Sequence, residues 1–394
     1  MAKDNAYYRL IDWFRKSKTY IPESEQLLPL IKTCYTIQEA EILTGMPLTL
    51  SPIDVLAKTK NSAPEVLQTQ LDEMAGRGLV YRVIVKGKPK YRLNPLRFVF
   101  LRSFFWPGRR DADIQTVAPH VTRYYLDGFG DHWKDGKTKG LRAIPIQKTL
   151  SDMRTIRPYE DVRNVLKNQD RFAVAHCACR ERKNTDQGLP DCKHETENCL
   201  HFGKLADYII ENGLGREINR AECEEILEKA AEAGLVHAIS NWQKNVDTIC
   251  NCCQCCCVYF QAFHTLGHTE SMNTSNYEVR IEPETCIACG KCVKRCPMDA
   301  LSLKPHPRAT SKTGKVSSLN QKRCIGCGVC AYGCPTASLT LCQRKTVMDP
   351  PVDVLELKKR YAQERAEKLA QNGLSGAPEE YYMGDISSGE AILE

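Results

Sequence analysis

The sequence lacks any long hydrophobic run. It contains no stretch of about eighteen uninterrupted apolar residues, which is the least that a transmembrane helix requires. The N-terminal segment also has no apolar core, small-residue cleavage site or twin arginine of an export signal (MAKDNAYYRLIDWFRKSK). We therefore expect a cytoplasmic protein without a transmembrane segment, in a compartment that keeps thiols reduced.

Signatures of a self-contained enzyme are missing as well. The sequence contains no Gly-rich dinucleotide fingerprint, no Walker loop and no nucleophile–base signature. These absences argue against an independent flavin, nicotinamide or ATP site. They leave open whether the chain is an enzyme in its own right.

Acidic residues are absent from one basic segment, residues 76–110, although the formal net charge of the whole chain is only +7. Ten Lys and Arg residues fall in this segment. We therefore predict that one face of the N-terminal part is strongly positive. Such a surface suits an acidic protein partner, whose encounter it accelerates, or nucleic acid.

The N-terminal part follows a helix-turn-helix pattern with a hairpin, preceded by an apolar periodic stretch over 25–44. Ser62 is the predicted N-cap of the second helix, and Glu65 completes a capping box. This pattern resembles a winged-helix domain. The predicted elements are helices over 52–59 and 62–76 and strands over 79–85 and 90–93. The positions of the second helix expected to face a core are Val66, Leu67, Leu71, Met74 and Ala75.

Cysteine, by contrast, is abundant, with 21 residues. Two segments that begin at Cys286 and Cys324 repeat the spacing Cys-x2-Cys-x2-Cys-x3-Cys-Pro. A tight loop of this kind directs three thiolates to one [4Fe–4S] cubane, and the fourth cysteine of each run ligates the other cluster. Structural zinc is the competing interpretation, but zinc motifs rarely show this spacing, still less twice. The predicted ligands are Cys286, Cys289, Cys292 and Cys334 for cluster one and Cys324, Cys327, Cys330 and Cys296 for cluster two.

These repeats closely resemble bacterial two-cluster [4Fe–4S] ferredoxins, over about a sixth of the chain. The resemblance implies a ferredoxin-like domain that carries electrons. Small residues between the ligands, such as Ala288 and Gly326, let backbone N–H groups approach the cluster sulfides. One departure is the long separation between Cys296 and Cys324, where residues 305–315 predict an enlarged hairpin loop.

Ten further cysteines lie in a middle region. Soft thiolates at this density suit iron–sulfur clusters better than zinc or copper(I), so one or two additional [4Fe–4S] clusters are predicted there. One division assigns the first four cysteines of this region to one cluster and four of the last six to another. Clusters whose ligands come from both sets are an equally open alternative. Adjacent cysteines diverge, so the dense run cannot all serve one cubane, and inert buried thiols are an alternative for some members. The ten are Cys177, Cys179, Cys192, Cys199, Cys250, Cys252, Cys253, Cys255, Cys256 and Cys257.

The predicted fold class is α+β with several domains. The winged helix, the CxCR and CNCCxCCC segments and the ferredoxin repeat together resemble a loosely characterised group of 4Fe–4S dicluster-domain proteins from anaerobes. That resemblance implies an anaerobic redox role. The expected domains are a winged-helix-like domain over 1–112, a Cys-rich α/β iron–sulfur region over 113–275, a 2[4Fe–4S] ferredoxin domain over 276–343, and a C-terminal helix with a mobile tail over 344–394.

Three functions follow from these motifs. The first is an electron-transfer subunit that passes electrons through several [4Fe–4S] clusters between a partner oxidoreductase, within a larger complex, and another carrier. The second is a redox-sensing regulator that binds DNA. It is less favoured, because a sensor needs only one cluster and because the helix over 62–76 exposes acidic and amide side chains. The third is a reductase of a small substrate, with an open-site cluster in the middle region.

Overall fold

The chain forms two units in the computed structural model, which describes residues 4–16, 21–134 and 136–371. The first unit contains the chain up to 136, residues 171–218 and the residues from 354 onward; the second contains 137–170 and 219–353. The tail predicted beyond Gln371 lies outside the described residues. The domain boundaries expected from the sequence stay predictions.

Both helices and strands occur throughout the described residues, which confirms a mixed helix and sheet fold. The α-helices are α1 (Asp4–Lys16), α2 (Leu27–Cys34), α3 (Ile37–Leu43), α4 (Ile53–Lys60), α5 (Pro64–Gly76), α6 (Leu96–Phe98), α7 (Ala112–Leu126), α8 (Val162–Lys167), α9 (Ala178–Thr185), α10 (Gly203–Glu211), α11 (Arg220–Glu232), α12 (Val258–His264), α13 (Lys291–Arg295), α14 (Val329–Tyr332) and α15 (Val354–Gln371). The strands are β1 (Ser51–Pro52), β2 (Val80–Val85), β3 (Lys88–Leu93), β4 (Leu141–Ala143), β5 (Phe172–His176), β6 (Glu197–Phe202), β7 (Arg216–Glu217), β8 (Val236–Ser240), β9 (Thr248–Cys252), β10 (Tyr277–Ile281), β11 (Leu301–Pro305), β12 (Lys315–Leu319) and β13 (Leu339–Gln343). Among the described helices, none has the length and apolar character needed to span a bilayer.

The N-terminal part of unit one contains a three-stranded antiparallel sheet in the order β1-β3-β2. Helices α3, α4 and α5 precede the β2–β3 hairpin along the chain, with β1 between α3 and α4. The hairpin turns at Lys86 and Gly87, whose φ angles are 52° and 74°. Two consecutive positive φ angles suit a two-residue turn that matches the right-handed twist of the paired strands.

Two local predictions about α5 are wrong. The helix begins at Pro64 with Ala63 as its N-cap, and no side chain caps it, so the predicted capping box of Ser62 and Glu65 does not form. Proline is well suited to the first position of a helix because its φ is already helical and it has no N–H to satisfy there. Val66 is 55% exposed instead of facing the core, whereas Leu67 is buried. One residue corresponds to about 100° of rotation, enough to leave the apolar stripe.

The basic segment over 76–110 is less positive than its composition predicts, because much of its charge is neutralised or buried. Arg82 forms a 2.8 Å ion pair with Asp72. Arg92 is buried with its guanidinium 4.0 Å from the centre of the Tyr81 ring. The other ion-paired residues of the segment are Arg77 with Glu39, Arg109 with Asp111 and Arg110 with Glu181. Exposed positive charge therefore concentrates on the β2–β3 turn at Lys86 and Lys88.

The remainder of unit one contains strands in the order β6-β5-β7, all antiparallel. Helix α10 follows β6 directly and buries Leu205, Tyr208 and Ile209. Tyr208 stacks on Tyr81 of β2 with ring centroids 4.2 Å apart. This aromatic contact joins the β6-β5-β7 strands to the N-terminal sheet within the same unit.

Unit two combines an antiparallel arrangement β4-β8-β9 with the region of the cysteine repeat. In that region β10 pairs with β13, and β11 pairs with β12 across a loop that confirms the enlarged hairpin expected near 305–315. Helix α13 follows the first cysteine loop and α14 follows the second. The two repeats therefore adopt matching loop–helix structures.

Candidate metal centres

The two cysteine loops share their backbone conformation. Ala288 and Gly326 occupy equivalent positions and have φ angles of 53° and 70°. Gly290 and Gly328 lie two residues further along their loops and are also equivalent. Their φ angles are 73° and 81°, and they are the N-caps of α13 and α14. Alternating left-handed residues turn the backbone around a central space, so that successive thiols approach it from different sides.

Four of the predicted ligands line one small cavity. Three belong to the first loop and the fourth to the end of the second loop, and apolar side chains such as Leu303 and Leu339 complete the wall. Cys286 and Cys292 are buried, whereas Cys289 is exposed. The four cysteines of this cavity are Cys286, Cys289, Cys292 and Cys334.

A second small cavity has the reciprocal composition. Three of its thiols come from the second loop and one from the end of the first, with Leu301, Leu319 and Ile325 among the apolar wall residues. All four of its thiols are buried. They are Cys296, Cys324, Cys327 and Cys330. The structure thus brings the eight cysteines together in the two groups of four that the crossed spacing predicts.

Hydrogen-bond donors surround these sulfurs. The backbone N–H of Ala300 lies 3.2 Å from Cys296 Sγ, and that of Ser317 lies 3.5 Å from Cys286 Sγ. The Ser317 hydroxyl is also 3.3 Å from Cys292 Sγ. Donors of this kind stabilise negative charge on a thiolate and raise the reduction potential of a cluster that it ligates.

Burial raises the pKa of thiols in both cavities, and in the first cavity it does so for Cys292. Burial raises the pKa of Cys296, Cys327 and Cys330 above the ordinary thiol value. Burial also acts on Cys334, but hydrogen bonds from Thr336 and neighbouring backbone groups outweigh it and lower its pKa. Buried thiols of this kind ionise when a metal centre coordinates them, because the positive ion compensates the charge. The donor set and the apolar walls fit a cubane cluster in each cavity.

A third group of thiols lies in the dense run of the middle region, also in unit two. The Sγ atoms of Cys253, Cys255 and Cys256 all lie within 4.8 Å of one another. Cys255 Sγ is 3.6 Å from Cys253 Sγ and 3.5 Å from Cys256 Sγ. Cys255 is exposed and the other two are buried. These separations allow the three thiolates to share one metal centre.

The four upstream cysteines all lie in unit one. Cys177 is the N-cap of α9, and Cys179 lies in the first turn of that helix. Cys199 is on β6, paired with Ala175 of β5, so it lies on the strand next to the one that leads to Cys177. Cys192 is buried in the loop between α9 and β6, where its backbone N–H donates to Asn184 over 2.7 Å. Their assignment to a middle cluster stays a prediction.

The isolated cysteines have surroundings unlike those of the grouped ones. Cys34 and Cys223 are fully buried, as expected for core residues, and burial raises the pKa of Cys223 to about 12. Cys342 is half-buried on β13, with Sγ 3.7 Å from the Glu278 carbonyl oxygen. None of the 21 cysteines, all of which lie in the described part of the chain, forms a disulfide.

One contact close to the cysteine groups involves His264, a residue that no sequence motif indicates. His264 on α12 places Nε2 2.7 Å from the carbonyl oxygen of Pro297 and 3.2 Å from the side-chain nitrogen of Gln254. Pro297 follows Cys296, and Gln254 lies within the dense cysteine run. Because these residues are distant in sequence, only the tertiary fold reveals the contact.

Comparison with known proteins supports the assignment of the repeat. A search of curated proteins found no match to the chain. Residues 285–338 match a family model described as a 4Fe-4S dicluster domain, a range that contains all eight cysteines of the two cavities. The C-terminal part of the chain therefore contains an iron–sulfur domain of the 4Fe-4S dicluster type.

Proposed function

We propose that this chain is an electron-transfer protein that carries electrons through several [4Fe–4S] clusters, between a partner oxidoreductase and another carrier in an anaerobe. The observation that carries the proposal is the pair of cavities, each lined by three cysteines of one loop and one of the other. A [4Fe–4S] cluster, when bound there, supplies one-electron redox chemistry. The chain's own contribution is to hold the thiolates, exclude water and donate hydrogen bonds to sulfur.

The crossed arrangement supports electron transfer over a purely structural role. Each loop contributes to both cavities, so the two centres are held on one continuous piece of structure. The His264 contacts with Gln254 and Pro297 connect the dense cysteine run to the second cavity within unit two. We infer that electrons pass between the middle centres and the dicluster domain along this connection.

We also propose that the N-terminal part is a winged-helix domain used to dock a protein. The chain order of α3, β1, α4, α5 and the β2–β3 hairpin, with the sheet order β1-β3-β2, supports this proposal. Helix α5 contains no Lys or Arg, whereas Glu65 and Glu73 are exposed on it. Such a helix repels phosphates, and the lysines of the turn suit an acidic redox partner.

The test is an electron-transfer assay on the full chain, purified anaerobically. The protein is reduced with dithionite, freed of excess reductant and mixed with oxidised cytochrome c as the probe acceptor, while cluster absorbance is followed. We expect rapid reoxidation by the wild type, loss of most of that rate in Cys327→Ala, and retention of it in Cys342→Ala. Clusters that dithionite does not reduce, or equal rates in all three proteins, would refute the proposal.

A DNA-binding regulator is the second candidate, because the helices and hairpin of the N-terminal part have an arrangement that is also found in DNA-binding proteins. It predicts that labelled duplex DNA binds the chain and that cluster oxidation changes the affinity. Fluorescence anisotropy at about 0.15 M salt, where nonspecific phosphate contacts are weakened, measures both. We expect no binding that depends on the redox state, and a redox-dependent change would favour the regulator instead.

The small-substrate reductase is the third candidate, and it requires a middle centre with only three protein ligands. A cluster with only three protein thiolates leaves one iron open to a substrate. Cyanide added to the reduced protein tests for such an iron, because it coordinates an open site and alters the EPR spectrum. We expect an unaltered spectrum, as four-coordinate ligation predicts.

A further inference from the structure

The dense cysteine run contains six thiols within residues 250–257. Its backbone divides them between the end of β9 and the turn that follows. Its first half, the end of β9, is extended and pairs with β8. Side chains alternate between the two faces of a strand, so Cys250 and Cys252 share one face and Asn251 lies on the other. Consistently, Asn251 Oδ1 contacts His237 Nδ1 of β8 at 2.7 Å.

The chain reverses immediately after β9. The backbone N–H groups of Cys256 and Cys257 both donate to the carbonyl oxygen of Cys253, at 3.4 and 3.2 Å. This turn brings Cys257, the N-cap of α12, back towards the end of β9. As a result, the Cys252 side chain makes sulfur hydrogen bonds with both Cys250 and Cys257.

The three remaining thiols lie around the turn. Cys253, Cys255 and Cys256 contact one another and form a group separate from the first. The two groups also differ in exposure: Cys255 is exposed to solvent, whereas Cys250, the most accessible member of the other group, is only half-buried. Neighbouring cysteines such as Cys252 and Cys253, or Cys256 and Cys257, thus belong to different groups. Cys255 and Cys256 are the exception, since they are adjacent in sequence and lie in the same group with their Sγ atoms 3.5 Å apart.

We propose that the run builds two separate iron–sulfur centres, one held by Cys250, Cys252 and Cys257 and the other by Cys253, Cys255 and Cys256. This inference rests on the proposed iron–sulfur function and refines its middle region. Cys252 hydrogen-bonds to both other thiols of the first group, and the three thiols of the second group lie within 4.8 Å of one another. Thiolate is the ligand that iron–sulfur clusters select. Each centre takes its fourth ligand from outside the run. The account of the dicluster domain does not depend on this division.

The test is additivity of iron loss. Cys255→Ala and Cys250→Ala each remove the most accessible member of one group, so the core is disturbed least. Iron, acid-labile sulfide and zinc per chain are measured on the anaerobically purified full chain for the wild type, both single variants and the double variant, with Cys342→Ala as the control. We expect each single variant to lose about four irons and the double variant about eight, on the basis of four irons per cubane.

Two outcomes would overturn the proposal. If the double variant loses no more iron than either single variant, the run serves one centre. If iron is unchanged while a stoichiometric zinc is lost, the affected group holds zinc and no cluster. In every case about eight irons remain in the dicluster domain. Absence of those eight from the wild type would instead refute the proposed function, which keeps the two failures distinguishable.

Discussion

Ala288 and Gly326 show how one residue position constrains a cluster loop. Both have a positive φ, which favours glycine, yet alanine occupies the first site. At the second site the surroundings are closer: a Cβ on Gly326 would lie 2.1 Å from both Ser275 Oγ and the Tyr277 carbonyl oxygen. The second loop is therefore pressed against β10, and its glycine is required for space as well as conformation.

Gly326→Ala is expected to destabilise the second cavity. The left-handed conformation alone costs about 1 kcal/mol for a non-glycine residue, and the backbone clash adds to that cost. We expect a lower thermal midpoint and loss of about four irons per chain. Gly314→Ala is the matched control, because its φ is also positive, at 64°, and nothing lies within 4 Å of the added Cβ. Equal effects of the two substitutions would contradict this account.

Single cysteine substitutions test the crossed ligation. Cys296→Ala is expected to remove the same EPR signal as Cys327→Ala, because both thiols line the second cavity. Cys334→Ala is expected to match Cys289→Ala, since these two line the first cavity. EPR of the dithionite-reduced variants compares the pairs. If Cys296→Ala instead resembles Cys289→Ala, each loop holds its own cluster and the crossed assignment fails.

Lys358 on α15 is buried with no hydrogen-bond partner for Nζ among the described residues. Burial, with a smaller contribution from Arg92, lowers its pKa from 10.5 to about 8. The folded state thus disfavours the charged amine. The resulting destabilisation is complete below about pH 8 and diminishes as the pH rises toward 10.5, where the unfolded lysine also loses its proton.

Lys358→Met is therefore expected to raise the stability of the protein at pH 7, by about 1–3 kcal/mol. The gain should shrink as the pH approaches 10. Thermal midpoints of the anaerobic protein across this pH range measure it, and Lys359→Met, at an exposed neighbouring position, is the control. A gain of the same size at every pH would show that burial of the charge is not its cause.

At the scale of elements, Arg295 joins three helices of unit two. From the end of α13 it donates to the carbonyl oxygens of Val329 on α14, at 3.2 Å, and of Ala231 at the end of α11, at 3.1 Å. It also lies against Gly333, where an added Cβ would approach Arg295 Nε to 2.4 Å. Each of these two carbonyl oxygens also accepts a backbone N–H, from Gly333 and Gly234 respectively, so Arg295 adds a second hydrogen bond to each.

Arg295→Ala is expected to lower the stability of unit two by about 1–3 kcal/mol, because it removes hydrogen bonds from a charged donor that joins three helices. The thermal midpoint and the rate of cluster loss under air measure the effect. Lys294→Ala, on the same helix but exposed, is expected to change neither. A larger effect from the lysine variant would show that the helix itself, and not the contacts of Arg295, limits stability.

The elements that could be predicted from sequence are those encoded by local chemistry. The β2–β3 hairpin follows from its Lys86-Gly87 turn, and α11 begins after Asn219, whose side chain accepts from the Glu222 N–H. The single periodic stretch over 25–44 proved to be two helices, since Thr36 caps α3 in a full capping box with Glu39. The start of α5 was missed because Pro64 outweighs the cap at Ser62.

The candidate site was likewise predictable only where its signal is local in the sequence. The spacing of the ferredoxin-type loops is a local signal, and it placed all eight cysteines in their two groups. The division of the dense run was not predictable, because it depends on the direction of β9 and on the turn after Cys253. The His264 contact depends on packing between distant segments and has no local signal either.

Across the whole molecule, charge and cysteine are distributed unevenly. The chain carries a formal charge of +7, yet most arginines of the basic segment form ion pairs or are buried. Unit two contains both cavities and the dense cysteine run. This concentration of thiols is what a molecule organised around iron–sulfur centres requires.

The measurement that tests this account most directly is iron, acid-labile sulfide and zinc per chain on anaerobically purified protein, with EPR of the dithionite-reduced form. The account predicts about sixteen irons with equal sulfide, from two clusters in the dicluster domain and two in the dense run. It also predicts magnetically coupled signals from the paired clusters. Fewer than about eight irons together with stoichiometric zinc would contradict it, because the crossed cavities would then be structural zinc sites.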